Sequence, residues 1–169
     1  YYQYRNGQPI GWIDSFFMAV SSRTAGFNSV PMSVLSSGSI LVLVFLMLIG
    51  GAPGSTAGGM KVTTFALVMA AIYNVFCGNE KVLIFKRKIS SSTVLRAFTV
   101  AFTFIVLGLI GAGIFQSLST ANMQKAFFEV VSALGTVGLS LGMGDDYTLR
   151  GKLFIILYIL FRNRRAVVA

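Results

Sequence analysis

Three observations predict an all-α membrane protein built from repeated units, each a crossing helix, a short helix that enters and turns back, and a second crossing helix. The composition is 55% hydrophobic and only 11% charged, with a mean hydropathy of +0.77. The charges lie between long apolar runs and are not interleaved with them at amphipathic spacing, a pattern that suits lipid contact. Two apolar runs are cut apart by a glycine-rich stretch, and two short apolar segments each end in a Thr-x-Gly sequence.

Composition also excludes several functions. A net charge of +9 invites a nucleic-acid reading, but Lys81, Lys86, Arg87, Lys88 and Arg96 form one cluster and Arg162, Arg164 and Arg165 another, each beside an apolar segment. These are the basic flanks expected on the cytoplasmic side of membrane helices, and no basic module interleaved with aromatics accompanies them. No nucleic-acid partner is therefore expected. With no histidine and only five acids, Asp14, Glu80, Glu129, Asp145 and Asp146, the usual zinc, triad and acid–base centres lack their parts, so no enzyme is expected. The single cysteine, Cys77, allows no internal disulfide.

Residues 1–11 are polar and aromatic and read as an interfacial loop, with Trp12 at the boundary. The apolar stretch 13–22 is too short to cross a bilayer, which needs about 20 residues, and Arg23-Thr24-Ala25-Gly26-Phe27-Asn28 follows it. A re-entrant half-helix is expected, with Asp14 at the positive end of its dipole and Gly26 letting the chain turn back. Residues 40–77, if continuous, would form a rod of about 57 Å, nearly twice the roughly 30 Å hydrocarbon layer. The run Gly50-Gly51-Ala52-Pro53-Gly54-Ser55-Thr56-Ala57-Gly58-Gly59 interrupts it, and five glycines and a proline in ten positions remove helix propensity. Lipid tolerates such backbone only where it is buried in protein or lines a watery cavity, so a broken helix beside a transport path is expected.

A basic linker, 78–92, precedes an apolar run, 97–115, expected as one ordinary transmembrane helix with Ser92 or Thr93 as N-cap. Segment 123–134 repeats the short apolar pattern and ends in Gly135-Thr136-Val137-Gly138-Leu139-Ser140-Leu141-Gly142. A turn at Gly144-Asp145-Asp146-Tyr147 leads to a final helix, 153–161, and the basic tail.

The two short segments read as copies of one unit. Phe16-Phe17 recurs as Phe127-Phe128 and Thr24-Ala25-Gly26-Phe27 as Thr136-Val137-Gly138-Leu139, with the second loop displaced by one extra residue relative to its helix. Internal duplication of this kind is common in transport folds. Residues 1–78 are expected to form one unit lacking its first outer helix, 79–92 a cytoplasmic linker, and 93–169 a complete unit. Tyr1 is neither an initiator methionine nor part of a signal peptide, so the chain is expected to be a piece of a longer, multi-pass protein. The basic linker and tail place both on the cytoplasmic side, and both Thr-x-Gly loops then enter from outside.

Thr136-Val137-Gly138 is the core of the sequence whose backbone carbonyls replace the hydration shell of K⁺ in potassium channels. Alone it is a weak signal. Set after a half-helix, duplicated as Thr24-Ala25-Gly26 and paired with a broken helix, it is a strong one. Tight packing through small residues, as in the Gly50/Gly54 and Gly54/Gly58 spacings, is the plain alternative.

Ser22-Arg23-Thr24-Ala25-Gly26-Phe27-Asn28, the run from Gly50 through Met60-Lys61, and Phe128-Glu129-Val130-Val131-Ser132-Ala133-Leu134-Gly135-Thr136-Val137-Gly138-Leu139-Ser140 resemble the Trk/Ktr/HKT superfamily of potassium transporters, the Ktr-type membrane subunit above all. The resemblance implies a pore of four M1–P–M2 units in one polypeptide, this chain holding the third without its M1 and the complete fourth. It implies an ion-binding filter at Thr24, Ala25, Gly26, Phe27, Gly135, Thr136, Val137, Gly138 and Leu139, with K⁺ as cargo and no covalently bound cofactor. It implies a gating loop at Gly50, Gly51, Gly54, Ser55, Thr56, Gly58 and Gly59 beneath the filter, Arg162 facing the pore beside that loop, a homodimer, a cytosolic nucleotide-binding ring, and residence in the plasma membrane. The family's Gly-Arg-x-Gly-Pro-like ending is replaced here by Phe161-Arg162-Asn163-Arg164-Arg165-Ala166.

Two rivals are weaker. A phosphate-cradling loop fails because Met60 separates Gly59 from Lys61 and Val62 stands where Ser or Thr is required. A sodium-coupled carrier with a broken-helix substrate site also uses unwound segments, but has no reason to repeat a carbonyl filter. Passive flux and Na⁺- or H⁺-coupled flux are both compatible with these residues.

Overall fold

The computed structural model describes residues 10–32, 35–55, 58–78, 82–84, 87–142 and 148–166; the side chains of residues 83, 84, 87 and 161–166 lie outside the description. The order is α1 (Trp12–Ser21), α2 (Ser37–Leu48), α3 (Val62–Phe76), a short antiparallel hairpin of β1 (Leu83–Ile84) and β2 (Arg87–Lys88), α4 (Ser91–Leu118), α5 (Met123–Gly135) and α6 (Leu149–Ala166). The chain is helical, as expected of an all-α membrane protein. The hairpin inside the basic linker was not foreseen.

α1 is 10 residues long and α5 13, both too short to cross a bilayer. α1 carries Asp14 in its first turn, where a carboxylate favours the helix dipole. α2 stops at Leu48 and α3 begins at Val62, so the apolar rod is broken at the glycine-rich run. α4 has 28 residues and is, among the described residues, the one helix long and apolar enough to cross a membrane. Its N-cap is Ser90, not Ser92 or Thr93 as expected. The Ser90 hydroxyl accepts the Thr93 N–H at 3.4 Å, and three residues is the spacing that lets a cap side chain reach the first free amides. The helix thus starts two residues inside the expected linker. α6 is also longer than expected, at 18 residues.

α5 is the central element. It packs against α2, α4 and α6, and every residue from Phe128 to Gly135 is buried. One apolar cluster joins Met18 of α1, Leu43, Val44 and Met47 of α2, and Phe128 and Val131 of α5. A second joins Phe115 of α4, Ala126 and Val130 of α5, and Phe154 and Tyr158 of α6. Between apolar surroundings and an apolar core there is little transfer energy to gain, so such contacts hold through close van der Waals fit. The outward faces agree: Phe102, Ile105, Leu109 and Ile110 of α4 are exposed, a pattern that suits lipid or further helices and not water.

Gly111 shows how close the fit is. A Cβ added there would lie 2.8 Å from Val130 Cγ1 and 3.0 Å from the Tyr158 hydroxyl, which donates to the Leu107 carbonyl at 2.8 Å. A Cβ added at Gly113, two residues on, meets nothing within 4 Å. Alanine favours a helix over glycine by about 1 kcal/mol, whereas overpacking costs about 1–3 kcal/mol. Gly111→Ala is therefore expected to lower the thermal unfolding midpoint of the detergent-solubilised protein, and Gly113→Ala to leave it unchanged or raise it.

Candidate functional site

The two Thr-x-Gly loops share one construction. α1 ends at Ser21, after which Ala25 N–H and Gly26 N–H both donate to the Ser21 carbonyl, at 3.1 and 3.2 Å. α5 ends at Gly135, and Val137 N–H donates to the Ser132 carbonyl at 2.9 Å. In each loop the threonine and the glycine lie in the left-handed region: Thr24 at φ 72° and Gly26 at φ 76°, Thr136 at φ 51° and Gly138 at φ 87°. Threonine is β-branched and resists positive φ, so each loop holds strain that its surroundings must offset.

A serine does part of that in both loops. The Ser21 hydroxyl donates to the Phe27 carbonyl, and the Ser132 hydroxyl donates to the Leu139 carbonyl at 2.6 Å. Both bonds tie the last turn of a half-helix to the carbonyl just past the glycine. The first spans six residues and the second seven, which is where the chain absorbs the extra residue of the second copy. In the second loop Val137, Leu139 and Leu141 are buried while Thr136, Gly138 and Ser140 are exposed, so alternate residues anchor the strand to the core. Glu129 of α5 reaches the same segment: its Oε1 accepts the Ser140 hydroxyl at 2.6 Å and the Leu141 N–H at 3.0 Å.

The loops touch through their glycines. A Cβ on Gly26 would overlap the Val137 carbonyl oxygen and stand 3.5 Å from Gly138 Cα, and a Cβ on Gly138 would lie 3.7 Å from Gly26 Cα. Gly26 thus has two reasons to be glycine, its positive φ and the carbonyl against it. A cavity of about 300 Å³ lies on another side of the second loop, bounded by Ser132, Thr136, Ser140, and by Ile155 and Ile159 of α6.

The glycine-rich run is a closed loop. Ile49 and Met60 form an isolated parallel bridge, with Gly50 N–H donating to the Met60 carbonyl at 2.8 Å, Met60 N–H to Leu48 at 3.1 Å and Val62 N–H to Gly51 at 3.3 Å. Gly50 admits no side chain in this neck, since a Cβ there would overlap the Gly58 carbonyl oxygen. At the tip Pro53 and Gly54, the latter at φ 81°, occupy the two centres of a turn closed by Ser55 N–H to the Ala52 carbonyl at 3.2 Å. Proline followed by a positive-φ glycine is the requirement of a type II turn. The Ser55 hydroxyl also donates to Ala52, at 2.7 Å, and the Lys61 ammonium donates to the Ser55 carbonyl at 2.8 Å.

The neck and the second Thr-x-Gly loop meet at one atom. The Met47 carbonyl oxygen stands 3.1 Å from a Cβ built on Gly135 and 3.2 Å from one built on Gly59. The residues singled out in the sequence, Thr24 to Phe27, Gly135 to Leu139, and Gly50, Gly51, Gly54, Ser55, Gly58 and Gly59, therefore fall into one connected region. Thr56 lies outside the described residues and Arg162 outside the described side chains. Sequence reasoning missed the serine ties, Glu129 and Met47. A serine within each half-helix's final turn was the available signal for the first.

Comparison with known proteins agrees with this architecture. The family model TrkH, a cation transport protein, matches residues 7–167. The potassium/sodium uptake protein NtpJ of Enterococcus hirae is 39% identical over 147 residues, covering 85% of this chain and 33% of that protein. Ktr system potassium uptake protein B of Bacillus subtilis is 35% identical over 150 residues, 89% of this chain and 34% of its own. An uncharacterised cation transporter of Mycoplasma pneumoniae is 41% identical over 133 residues, 75% of this chain and 23% of its own. The chain spans about a third of the length of the first two relatives. With a family match running almost from end to end, the chain belongs to the TrkH family of cation transport proteins.

Proposed function

We propose that this chain supplies two of the four quarters of a potassium-conducting filter, together with the loop that gates it. The observation that carries the reading is the pair of Thr-x-Gly loops with matching left-handed residues, set against each other at Gly26 and Gly138. An extended strand points successive carbonyls to opposite sides. Left-handed residues at alternate positions turn each peptide back, so that carbonyls gather on one side, where they replace the water around a cation. The names of two relatives, a potassium/sodium uptake protein and a potassium uptake protein, support cation uptake as the activity.

In this reading residues 1–78 are the third M1–P–M2 unit without its M1, 79–92 the cytoplasmic linker and 93–169 the fourth unit. The remaining units complete the ring. α1 and α5 are the re-entrant pore helices, the two loops face outward, and linker and tail are cytoplasmic. The chain works in the plasma membrane as part of a homodimer docked on a nucleotide-binding ring. Residues 50–59 obstruct the path below the filter. Their tip is held by the turn at Pro53-Gly54 and by Lys61, so it can swing without unwinding α2 or α3. Contact of both the neck and the filter base with the Met47 carbonyl supports this placement.

Gly138→Ser tests the filter. Space for a Cβ exists there, but φ 87° strains any L side chain by roughly 1–2 kcal/mol. In the full-length transporter the variant is expected to insert normally and to lose about tenfold in Rb⁺-over-Na⁺ uptake. An unchanged ratio would count against a carbonyl filter.

Deleting residues 52–55 tests the gate. Uptake of Rb⁺ is expected to rise severalfold at equal protein in the membrane. Wild-type or lower flux from a normally expressed deletion would leave the loop a packing element. A carrier would instead show uptake that saturates and requires Na⁺ in both variants.

A further inference from the structure

We propose that Glu129 is a positioning residue for the second filter loop: its buried carboxylate fixes the backbone that leaves the filter and so sets ion selectivity without contacting the ion. The inference rests on the reading of residues 135–139 as a filter.

Glu129 is only 6% exposed, in the buried half of α5. Taking a carboxylate out of water costs several kcal/mol unless strong hydrogen bonds compensate. Here one oxygen, Oε1, takes the Ser140 hydroxyl at 2.6 Å and the Leu141 N–H at 3.0 Å. The Ser140 hydroxyl oxygen accepts the Gly142 N–H in turn, at 3.3 Å. With the Ser132 bond to the Leu139 carbonyl, the exit of the loop is tied at three successive residues, Leu139, Ser140 and Leu141. α5 supplies all three ties.

Two features separate this from ordinary core satisfaction. The first loop has no such carboxylate among the described residues: at the place that corresponds through the phenylalanine pair stands Met18, also buried, and the Ser21 hydroxyl is the side-chain tie from that helix. A half-helix followed by a left-handed Thr-x-Gly loop therefore folds without the carboxylate, which points to a task particular to the second loop. That loop also faces the 300 Å³ cavity, which Glu129, Ser132, Thr136 and Ser140 help to line. The bonds from α5 hold the loop's backbone along one side of that cavity.

Glu129→Gln keeps an acceptor oxygen and removes the charge, whereas Glu129→Leu removes both. Competitive uptake of Rb⁺ and Na⁺ is measured in cells lacking other K⁺ uptake, with the full-length transporter quantified in the membrane. Glu129→Leu is expected to lower the Rb⁺-over-Na⁺ ratio by about tenfold, the equivalent of one hydrogen bond lost from a buried partner. Ser140→Ala is expected to lower it by less, and Glu129→Gln to retain it. A Gln variant as unselective as the Leu variant would overturn the proposal, because charge and not bonding would then be what matters. A selective Leu variant would overturn it as well. Should Glu129→Leu fail to reach the membrane, Ser140→Ala decides, and an unchanged ratio there overturns the proposal. Gly138→Ser in the same assay separates the two readings: if it leaves the ratio unchanged the filter itself is rejected, and if it lowers the ratio while Glu129→Leu does not, only the positioning role falls.

Discussion

Irregular backbone inside an apolar medium must find every hydrogen bond within the protein, and that demand shapes this chain. Helices meet it internally. The two Thr-x-Gly loops and the glycine-rich run do not, and each is surrounded by devices that make up the difference: helix-end carbonyls that accept two amides, serine hydroxyls that cap carbonyls, a neck of backbone bonds between residues 48 and 62. These groups are what allow carbonyl oxygens to stand unhelical and available. In the proposed reading a cation stripped of water meets such oxygens, so the same constraint that makes the loops costly makes them useful.

The arrangement explains why α5 lies at the centre although it is too short to cross a membrane. It orients the second loop, presses against α2 just above the neck and contacts α4 and α6 on its other faces. A loop held by a few polar bonds is only as fixed as the helix that supplies them, and α5 is buried along its whole final two turns. α1 serves the first loop, but Trp12, Ile13 and Phe16 are exposed, as expected where further helices or lipid complete the packing. The Met47 carbonyl, wedged between Gly135 and Gly59, gives the neck and the base of the second Thr-x-Gly loop a shared contact, so a shift in either is felt by the other.

The six helices were legible because apolar run length and glycine punctuation carry most of the information. Their ends were less so. Three consecutive serines, Ser90 to Ser92, each suit an N-cap, and only the reach of Ser90 to Thr93 selects among them. Gln116 and Ser117 carry α4 past Phe115, where the expected apolar run stopped, because a helix end tolerates polar residues where it leaves the hydrocarbon. Two-residue strands are too short to leave a periodic trace. The site was found through its repeated Thr-x-Gly, yet the left-handed threonines were hidden, since a β-branched residue argues against that conformation until tertiary bonds impose it. Glu129 looked like one of five scattered acids because its partners are 11 and 12 residues away, beyond any local pattern.

Each loop is tied to a serine hydroxyl in the last turn of its helix, across a six-residue span in one and a seven-residue span in the other. The two loops can therefore differ in length and chemistry while each keeps its left-handed threonine and glycine. One copy keeps methionine where the other has a carboxylate. Identical subunits change every copy of a loop at once, but two loops written in tandem along one polypeptide can change separately, and the one-residue offset between these two is the trace of that freedom.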